Sequence, residues 1–356
     1  MIKACQDKIS IPSVLKISEG ELSRLGSYLK NLDFINVACF LSDGIEEIYG
    51  SRIYEGFEKS GIKVAHKKII TEIKIENVIH TAFEIPKKVN VLIGIGGGKA
   101  LDYSKYCAHV LALPFISVPT STSNDGFCSP ISSLIVDGKR KTVNARIPYG
   151  VVIDIDVIKS SPESSIYSGI GDLISKITAG WDWNVAAHKT NTDFNDFAYL
   201  ISQNTVIDFL NYQYINIKDS KFIYHLVNSL LMNGISMEIA SSSRPASGSE
   251  HLISHAYDKI SKNPSLHGIQ VGISTYLCSY LQNNQFELVK NFLSTTGFFE
   301  YLYNNPLNKK EYIEAIKIAP TLKEDFYTVL SEPENITKAI EFANNDDIMN
   351  RVLNDN

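Results

Sequence analysis

The sequence has 356 residues, of which 44% are hydrophobic and 21% charged, a composition typical of a soluble globular protein with room for two domains. Its formal net charge of -5 offers no basic field to nucleic acid, and no apolar run is long enough to span a membrane. Five scattered cysteines without a C-x-x-C pair argue against a disulfide framework or a zinc ribbon, and the polar N-terminus argues against a signal peptide. We therefore expect a cytoplasmic protein.

The first half of the sequence alternates between short apolar runs and helix patterns. Strands are predicted over 9–17, 36–41, 63–66, 89–95, 115–118, 133–136 and 151–155. Helices are predicted from Ser18, which forms a capping box with Glu21, after the second strand through Phe57, and over 100–111. This alternation is typical of a mostly parallel α/β sheet, so we predict an α/β domain over residues 1–158.

After Asp156 the strand patterns give way to amphipathic segments. These cover residues 163–189, 193–211, 219–240, 249–260, 265–283 and 285–304. A further helix is predicted near the C-terminus, with Ser331 as its cap, Pro333 in its first turn and Glu334 at the capping-box position. We predict an all-helical second domain over residues 159–356, joined to the first by a linker at 156–162.

Three consecutive glycines, Gly96, Gly97 and Gly98, follow the buried strand over 89–95 and open a helix. Glycines at such a turn let backbone N–H groups approach a diphosphate, whose charge the helix N-terminus favours. A tight strand–helix turn is the alternative, but a run of three glycines favours phosphate binding. We call residues 96–99 the glycine loop. Asp102, one turn into the helix, complements the helix dipole.

Polar side chains follow two other predicted strands. Asp43 either accepts hydrogen bonds from ribose hydroxyls or only forms a turn with the next glycine, and the residues leave both interpretations open. Thr120, Ser123 and Asp125 lie in a loop at the C-terminal end of a strand, which is where open α/β sheets bind ligands. A polar surface loop would have the same composition.

Two histidines and one aspartate in the predicted helical domain lie beside small residues. Gly248 precedes His251, Gly268 follows His267, and Asp172 has a similar setting. Small neighbours leave space around an imidazole for a ligand. Two imidazoles and one carboxylate with a further position open therefore predict a catalytic divalent-metal site.

His251 and His255 are spaced to share one helix face. The spacing is that of the H-E-x-x-H metalloproteases, but Leu252 stands where the general-base glutamate would be, which excludes that mechanism. His255 is instead a candidate proton relay. The other histidines are interpreted as core or surface residues: His66, His80, His109, His188 and His225.

Together these segments resemble the sn-glycerol-1-phosphate dehydrogenases, which belong to the iron-containing alcohol dehydrogenase and dehydroquinate synthase-like superfamily. The resemblance covers most of residues 35–275. It rests on the three glycines, on Pro-Thr-x-x-Ser-x-Asp-Gly-x-x-Ser-Pro at 119–130, and on Arg-Pro-Ala-Ser-Gly-Ser-Glu-His at 244–251. One departure is Ile269, since much of the superfamily has His-Gly-Glu at this motif.

The resemblance implies a Rossmann-like N-terminal domain and an all-helical C-terminal domain, as in dehydroquinate synthase-like folds. It implies an NAD or NADP site at Asp43, Gly96, Gly97, Gly98, Lys99, Asp102, Thr120, Ser123 and Ser129. It also implies that Asp172, His251 and His267 hold one divalent metal, with zinc favoured over iron or nickel, and that Asp125 and His255 take part in catalysis. Asp43 favours NAD, since a carboxylate there would repel a 2′-phosphate.

The implied reaction interconverts dihydroxyacetone phosphate and sn-glycerol 1-phosphate by hydride transfer. Glycerol dehydrogenase chemistry is the first alternative, and the segment at 244–251 favours the phosphorylated substrate. A dehydroquinate synthase-like lyase would be expected to have a glutamate at the first ligand position, and a non-catalytic sensor would not need intact ligands. We expect a polyol or polyol-phosphate substrate, no nucleic-acid or membrane partner, and a homo-oligomer.

Overall fold

The computed structural model describes residues 9–214 and 216–354, and the chain divides into two compact units. The first unit comprises the chain up to Thr120 together with Gly126–Ile158. The second comprises Ser121–Asp125 together with the chain from Lys159 onward. No helix among the described residues is both long and apolar enough to cross a bilayer.

The first unit is built on a six-stranded sheet in which every pairing is parallel. Its strands are β1 (Val14–Ser18), β2 (Asn36–Ser42), β3 (Lys63–Ile70), β4 (Val91–Gly96), β5 (Phe115–Pro119) and β8 (Gly150–Asp154). The spatial order is β1-β8-β5-β4-β2-β3. The chain runs from β2 outward to β3 and then returns to the other side of β2, so the direction of winding reverses between β2 and β4. Open α/β sheets bind ligands at such a reversal.

Helices accompany this sheet, whose central strands β2, β4, β5 and β8 are apolar and almost entirely buried. The helices are α1 (Glu21–Asn31), α2 (Ile45–Ser60), α3 (Ile75–Glu84), α4 (Gly98–Leu111) and α5 (Ile155–Lys159). Strand β4 is buried at every position, and its Val91, Ile93 and Ile95 share one core cluster with Leu25 of α1 and Ile53 of α2. A parallel strand that is covered on both faces has a continuous run of apolar residues in its sequence, which is why these central strands were predictable.

The predicted cap of the first helix is wrong. Ser18 ends β1, and α1 begins at Glu21 after Gly20, whose φ of 76° places it in the left-handed region. The cap comes from Asp154 at the end of β8, which accepts hydrogen bonds from the backbone N–H groups of Gly20 (3.1 Å) and Leu22 (2.9 Å). A partner 132 residues away in sequence leaves no local capping signal. Ser18 does contact Glu21, but by a side-chain hydrogen bond.

A hairpin stands apart from the main sheet. It pairs β6 (Ile131–Val136) with β7 (Lys139–Asn144) in an antiparallel two-stranded sheet. The sequence analysis predicts part of β6 but not β7, whose Lys-Arg-Lys start is exposed and lacks an apolar pattern. Helix α3 also has no counterpart in the predictions.

Within the described residues, the regular structure of the second unit is helical apart from two residues each in β9 (Leu307–Asn308) and β10 (Leu353–Asn354), which pair in parallel. Its helices are α6 (Glu163–Ile174), α7 (Lys176–Lys189), α8 (Asp196–Asn211), α9 (Ser220–Ala240), α10 (Ser249–Ile260), α11 (His267–Leu281), α12 (Phe286–Thr295), α13 (Phe298–Asn304), α14 (Lys309–Ile318), α15 (Pro333–Asn345) and α16 (Asp347–Val352). The predicted fold class, an α/β part followed by a helical part, is confirmed.

Two predicted helices are each divided in two. Ser175 separates α6 from α7, and Gly297, with φ of 78°, separates α12 from α13. Ser331 does not cap α15, because Glu332 precedes that helix and makes no side-chain capping bond. The Ser331 hydroxyl instead accepts a hydrogen bond from the backbone N–H of Thr328 at 3.0 Å.

Candidate functional site

The C-terminal ends of β2, β4 and β5 are held together by hydrogen bonds. The backbone N–H of Thr120 donates to the carbonyl of Gly96 at 3.0 Å, and the N–H of Gly97 donates to Ser42 Oγ at 3.1 Å. These residues therefore lie side by side at the reversal between β2 and β4, which is the expected place for a ligand in an open α/β sheet.

The glycine loop needs glycine at Gly96 for two separate reasons. Its φ is 149°, a conformation that side chains rarely adopt, and a Cβ there would lie 2.1 Å from Ser42 Oγ. Gly97 then caps α4 in an extended conformation, and α4 begins at Gly98. The first N–H groups of α4 thus open onto the strand ends, an arrangement that favours an anion.

The remaining cofactor candidates of the first unit lie in two different settings. Asp43 and Lys99 are exposed, at the end of β2 and in the first turn of α4. Asp102 lies 3.5 Å from the buried Lys105 ammonium, which also lies 3.4 Å from Ser129 Oγ. Asp102 and Ser129 therefore belong to a polar cluster that joins α4 to the segment before β6. Their role in cofactor binding stays a prediction.

The second unit brings Asp172, His251 and His267 together, and we call these three residues the Asp-His-His cluster. One ligand atom of each lies within 4.8 Å of the others. Asp172 Oδ1 is 3.6 Å from His251 Nε2 and 4.0 Å from His267 Nε2. Tetrahedral zinc with nitrogen and oxygen ligands places its ligand atoms about 3.3 Å apart, so small adjustments suffice for one ion to bind all three.

Hydrogen bonds orient both imidazoles towards Asp172. His251 Nδ1 lies 2.8 Å from Glu250 Oε1, and a carboxylate only accepts, so Nδ1 carries the proton. Ser254 donates to Gln270 Oε1 at 2.9 Å, so its oxygen is available to accept from His267 Nδ1 at 3.1 Å. Each Nε2 therefore offers a lone pair to the cluster, the tautomer that a metal requires.

Glycines bring the helices of the cluster into close contact. A Cβ on Gly171 of α6 would lie 1.9 Å from the carbonyl oxygen of Gly268 in α11, and a Cβ on Gly268 would lie 1.8 Å from the carbonyl oxygen of Ser168. The sequence analysis expected Gly268 to make room beside an imidazole, but the space that this glycine leaves lies against the backbone of Ser168. Gly268 instead lets two backbones approach, which places Asp172 beside His267.

Helix α6 also positions the segment 121–125. Ser168 Oγ donates to the carbonyl of Ser123 at 2.8 Å, and a Cβ on Gly169 would lie 2.0 Å from the carbonyl oxygen of Thr122. The backbone N–H of Asp125 donates to Asp172 Oδ2 at 3.0 Å. Asp125 is thereby fixed next to the Asp-His-His cluster, whereas Thr120 belongs to the first unit.

Lys176 is a functional candidate that the sequence analysis missed. Its side chain is fully buried, with the ammonium 3.1 Å from Asp125 Oδ2 and 3.5 Å from Asp172 Oδ2. Burial alone would raise the pKa of Asp172, but Lys176 and the two histidines hold it well below its usual range. Burial and the neighbouring Asp172 raise the pKa of Asp125. The spacing i, i+4 from Asp172 was the available signal.

Two buried carboxylates lie behind His251. Glu250 accepts from Gly248 N–H (2.7 Å) and Thr178 Oγ1 (2.8 Å) as well as from His251. Asp182 accepts from the backbone N–H groups of Ser249 and Val329, each at 2.7 Å. Burial and the charge of Glu250 raise the pKa of Asp182 to about 7. Glu250 therefore orients His251, as carboxylates commonly do for metal-binding histidines.

His255 lies next to the cluster but not within it. Its ring is stacked on that of His267, with centroids 5.6 Å apart and planes inclined by 21°. It also forms a second possible ligand group with Asp258 and His267. His255 is half-buried, a position open to both the cluster and solvent.

The comparisons with known proteins place this fold in a class. A family model for iron-containing alcohol dehydrogenases matches residues 16–162. The structure is similar to that of glycerol dehydrogenase from Schizosaccharomyces pombe, with a TM-score of 0.74, 22% identity, and coverage of 97% of this chain and 92% of the other. The α/β part followed by a helical part is thus the fold of that class.

Closer relatives identify the family. The chain is 32% identical to a glycerol-1-phosphate dehydrogenase [NAD(P)+] of Metallosphaera sedula over 91% of its own length and 93% of the relative. It is 37% identical to the protein of that name from Saccharolobus islandicus over 71% of its length and 73% of the relative. The chain belongs to the glycerol-1-phosphate dehydrogenase family, so the resemblance inferred from the motifs is confirmed.

Proposed function

We propose that the chain is a metal-dependent, NAD(P)-linked dehydrogenase that interconverts dihydroxyacetone phosphate and sn-glycerol 1-phosphate. The observation that carries this proposal is the Asp-His-His cluster, found in a chain whose relatives carry that activity in their names over more than 90% of its length. The first unit would bind the nucleotide and the second the metal and the substrate, with domain limits at 1–158 and 159–356.

Asp172, His251 and His267 are the residues proposed to hold the metal. Their donor set suits zinc best, with iron or nickel as alternatives, because it combines two oriented imidazoles with one carboxylate. A divalent ion bound there would supply Lewis-acid polarisation of the substrate carbonyl. Glu250 keeps His251 in the required tautomer, and Lys176 neutralises part of the negative charge of the cluster.

The glycine loop is proposed to bind the cofactor diphosphate through backbone N–H groups at the start of α4. Thr120, beside Gly96, supports the same strand end. Asp43 favours NADH over NADPH. An exposed carboxylate at the end of β2 accepts hydrogen bonds from the ribose hydroxyls of NADH and repels the 2′-phosphate of NADPH.

Two side chains next to the cluster are proposed to act on the substrate. Asp125 accepts hydrogen bonds from substrate hydroxyls and is oriented by Lys176 and by its backbone bond to Asp172. His255, half-buried and stacked on His267, passes the proton between solvent and the substrate oxygen.

A substrate panel tests the proposal. Zinc-loaded and chelator-treated protein is assayed with NADH and NADPH on dihydroxyacetone phosphate and on dihydroxyacetone, and in reverse on both enantiomers of glycerol phosphate. We expect metal-dependent reduction of the phosphorylated ketone, faster with NADH, and oxidation of sn-glycerol 1-phosphate alone. A preference for dihydroxyacetone, or turnover of the opposite enantiomer, would contradict the proposed function.

A further inference from the structure

Two positive side chains of the second unit lie against one aromatic ring. The Arg244 guanidinium carbon is 3.5 Å from the centroid of the Phe326 ring, and Lys323 Nζ is 4.3 Å from the same centroid. Arg244 is only 5% exposed, and its Nη1 donates to the carbonyl of Tyr327 at 2.8 Å. We call Arg244 and Lys323 the cation pair.

The cation pair has no salt bridge among the residues the structure describes. More distant carboxylates, Asp182 for Arg244 and Glu250 for Lys323, only partly oppose the lowering of the two pKa values by burial. The adjacent cation on the next ring differs, since Lys189 lies over Tyr327 and pairs with Glu332 at 3.0 Å. Burial and the charge of Arg244 lower the pKa of Lys323, which reflects the cost of this arrangement. A bound anion would offset that cost.

The cation pair is connected to the Asp-His-His cluster through Glu250. Arg244 lies in the loop between α9 and α10, and at the start of α10 Gly248 N–H and His251 Nδ1 both donate to Glu250 Oε1. The charge of Glu250 also acts on Lys323, whose pKa it raises against the effect of burial. The positive charge and a proposed metal ligand therefore share one neighbourhood.

We infer that Arg244 and Lys323 form the subsite for the phosphate of the substrate. This inference rests on the proposed function, whose substrate carries its phosphate ester on the carbon next to the carbonyl. A phosphate dianion needs concentrated positive charge, which the whole chain with its net charge of -5 does not supply. The planar guanidinium, held by Tyr327, matches phosphate oxygens with its other N–H groups, and the ammonium adds a point charge.

The test compares Lys323→Gln and Arg244→Lys with Lys189→Gln as the matched control. Lys189→Gln removes a lysine from the neighbouring ring, but one whose charge is already paired with Glu332. Values of kcat/KM are measured for dihydroxyacetone phosphate and for dihydroxyacetone. We expect each cation-pair variant to lower the ratio of the two by about tenfold to a hundredfold, chiefly through KM of the phosphorylated substrate. The control should leave the ratio unchanged.

A binding measurement separates failure of the subsite from failure of the proposed function. Calorimetric titration of the full metal-loaded chain with inorganic phosphate needs no turnover. Weaker phosphate binding in Lys323→Gln and Arg244→Lys than in the wild type supports the subsite even if neither ketone is reduced. Equal phosphate binding, or an equal loss of activity on both ketones, would overturn the subsite while the proposed function stands. Circular dichroism of Lys323→Gln, whose side chain is only half-buried, shows that the fold is retained.

Discussion

The glycine loop and the Asp-His-His cluster are built by opposite means. The glycine loop is a contiguous segment in which the backbone does the work, and its key residue Gly96 is required by its own φ and by Ser42 beside it. The Asp-His-His cluster takes its side chains from α6, α10 and α11. Asp172 and His267 are 95 residues apart in the sequence (267 minus 172). A site made by the backbone can therefore be predicted from a short stretch of sequence. A site made by side chains from three helices forms only when those helices have packed together.

The supports of the two regions differ in the same way. Neutral hydrogen bonds from Thr120 and to Ser42 hold the strand ends together around the glycine loop. Buried charges surround the Asp-His-His cluster, with Lys176 on one side and Glu250 on the other, both fully buried. Buried charges are costly unless paired, so each partner of the cluster depends on the others. A substitution should therefore affect the cluster more severely than the loop.

The largest effect is expected from removing a ligand of the cluster. His267→Ala, and likewise Asp172→Ala and His251→Ala, should lower turnover at least about a hundredfold, because each removes one of three donors. Metal content by mass spectrometry should fall in parallel, whereas binding of NADH by the first unit should persist. His80→Ala, at a well-exposed histidine on α3, is the control. Full activity in any metal-free variant would refute the proposed ligand set.

A smaller and different effect is expected in the glycine loop. Gly97 has φ of -81° and ψ of -178°, which valine tolerates, so Gly97→Val should fold normally. Its side chain would crowd the N–H groups at the start of α4, and affinity for NADH should fall about tenfold to a hundredfold with metal content unchanged. Fluorescence titration with NADH measures this, with Gly50→Ala of α2 as the control. Wild-type affinity in Gly97→Val would make the loop only a turn.

The sequence was most informative where a signal is local. Every strand of the main sheet overlaps a predicted strand, and the signal was clearest for β2, β4, β5 and β8, because strands buried on both faces are continuously apolar. The two wrong helix caps have different causes. Asp154 at the end of β8 caps α1 from a distant part of the sequence, whereas the Ser331 hydroxyl is engaged locally by the N–H of Thr328. Strand β7 was missed because its exposed residues are mostly charged.

The candidate site shows the same limit. The residues of the cluster were selected by their small neighbours and by the resemblance, and their proximity depends on the close approach of α6 and α11 at Gly171 and Gly268. Lys176 and Glu250 were missed although each stands near a selected residue in sequence. A buried lysine in a helix has no distinguishing pattern until its neighbours are known, since most lysines are exposed.

The smallest of the three effects concerns Asp125, which tests whether the cluster region extends into the segment 121–125. Asp125→Asn keeps the size of the side chain, keeps the backbone bond to Asp172, and removes the charge that faces Lys176. If Asp125 orients the substrate, kcat/KM should fall about tenfold, with metal content and NADH affinity near those of the wild type. If the residue only pairs with buried Lys176, the melting temperature should fall and kcat/KM should stay unchanged.

The control is Asp137→Asn, at an exposed aspartate paired with Lys141, which shows the effect of the same substitution without burial. Melting temperature, metal content and steady-state kinetics on one preparation distinguish these outcomes, and unchanged kinetics would remove Asp125 from the proposed site.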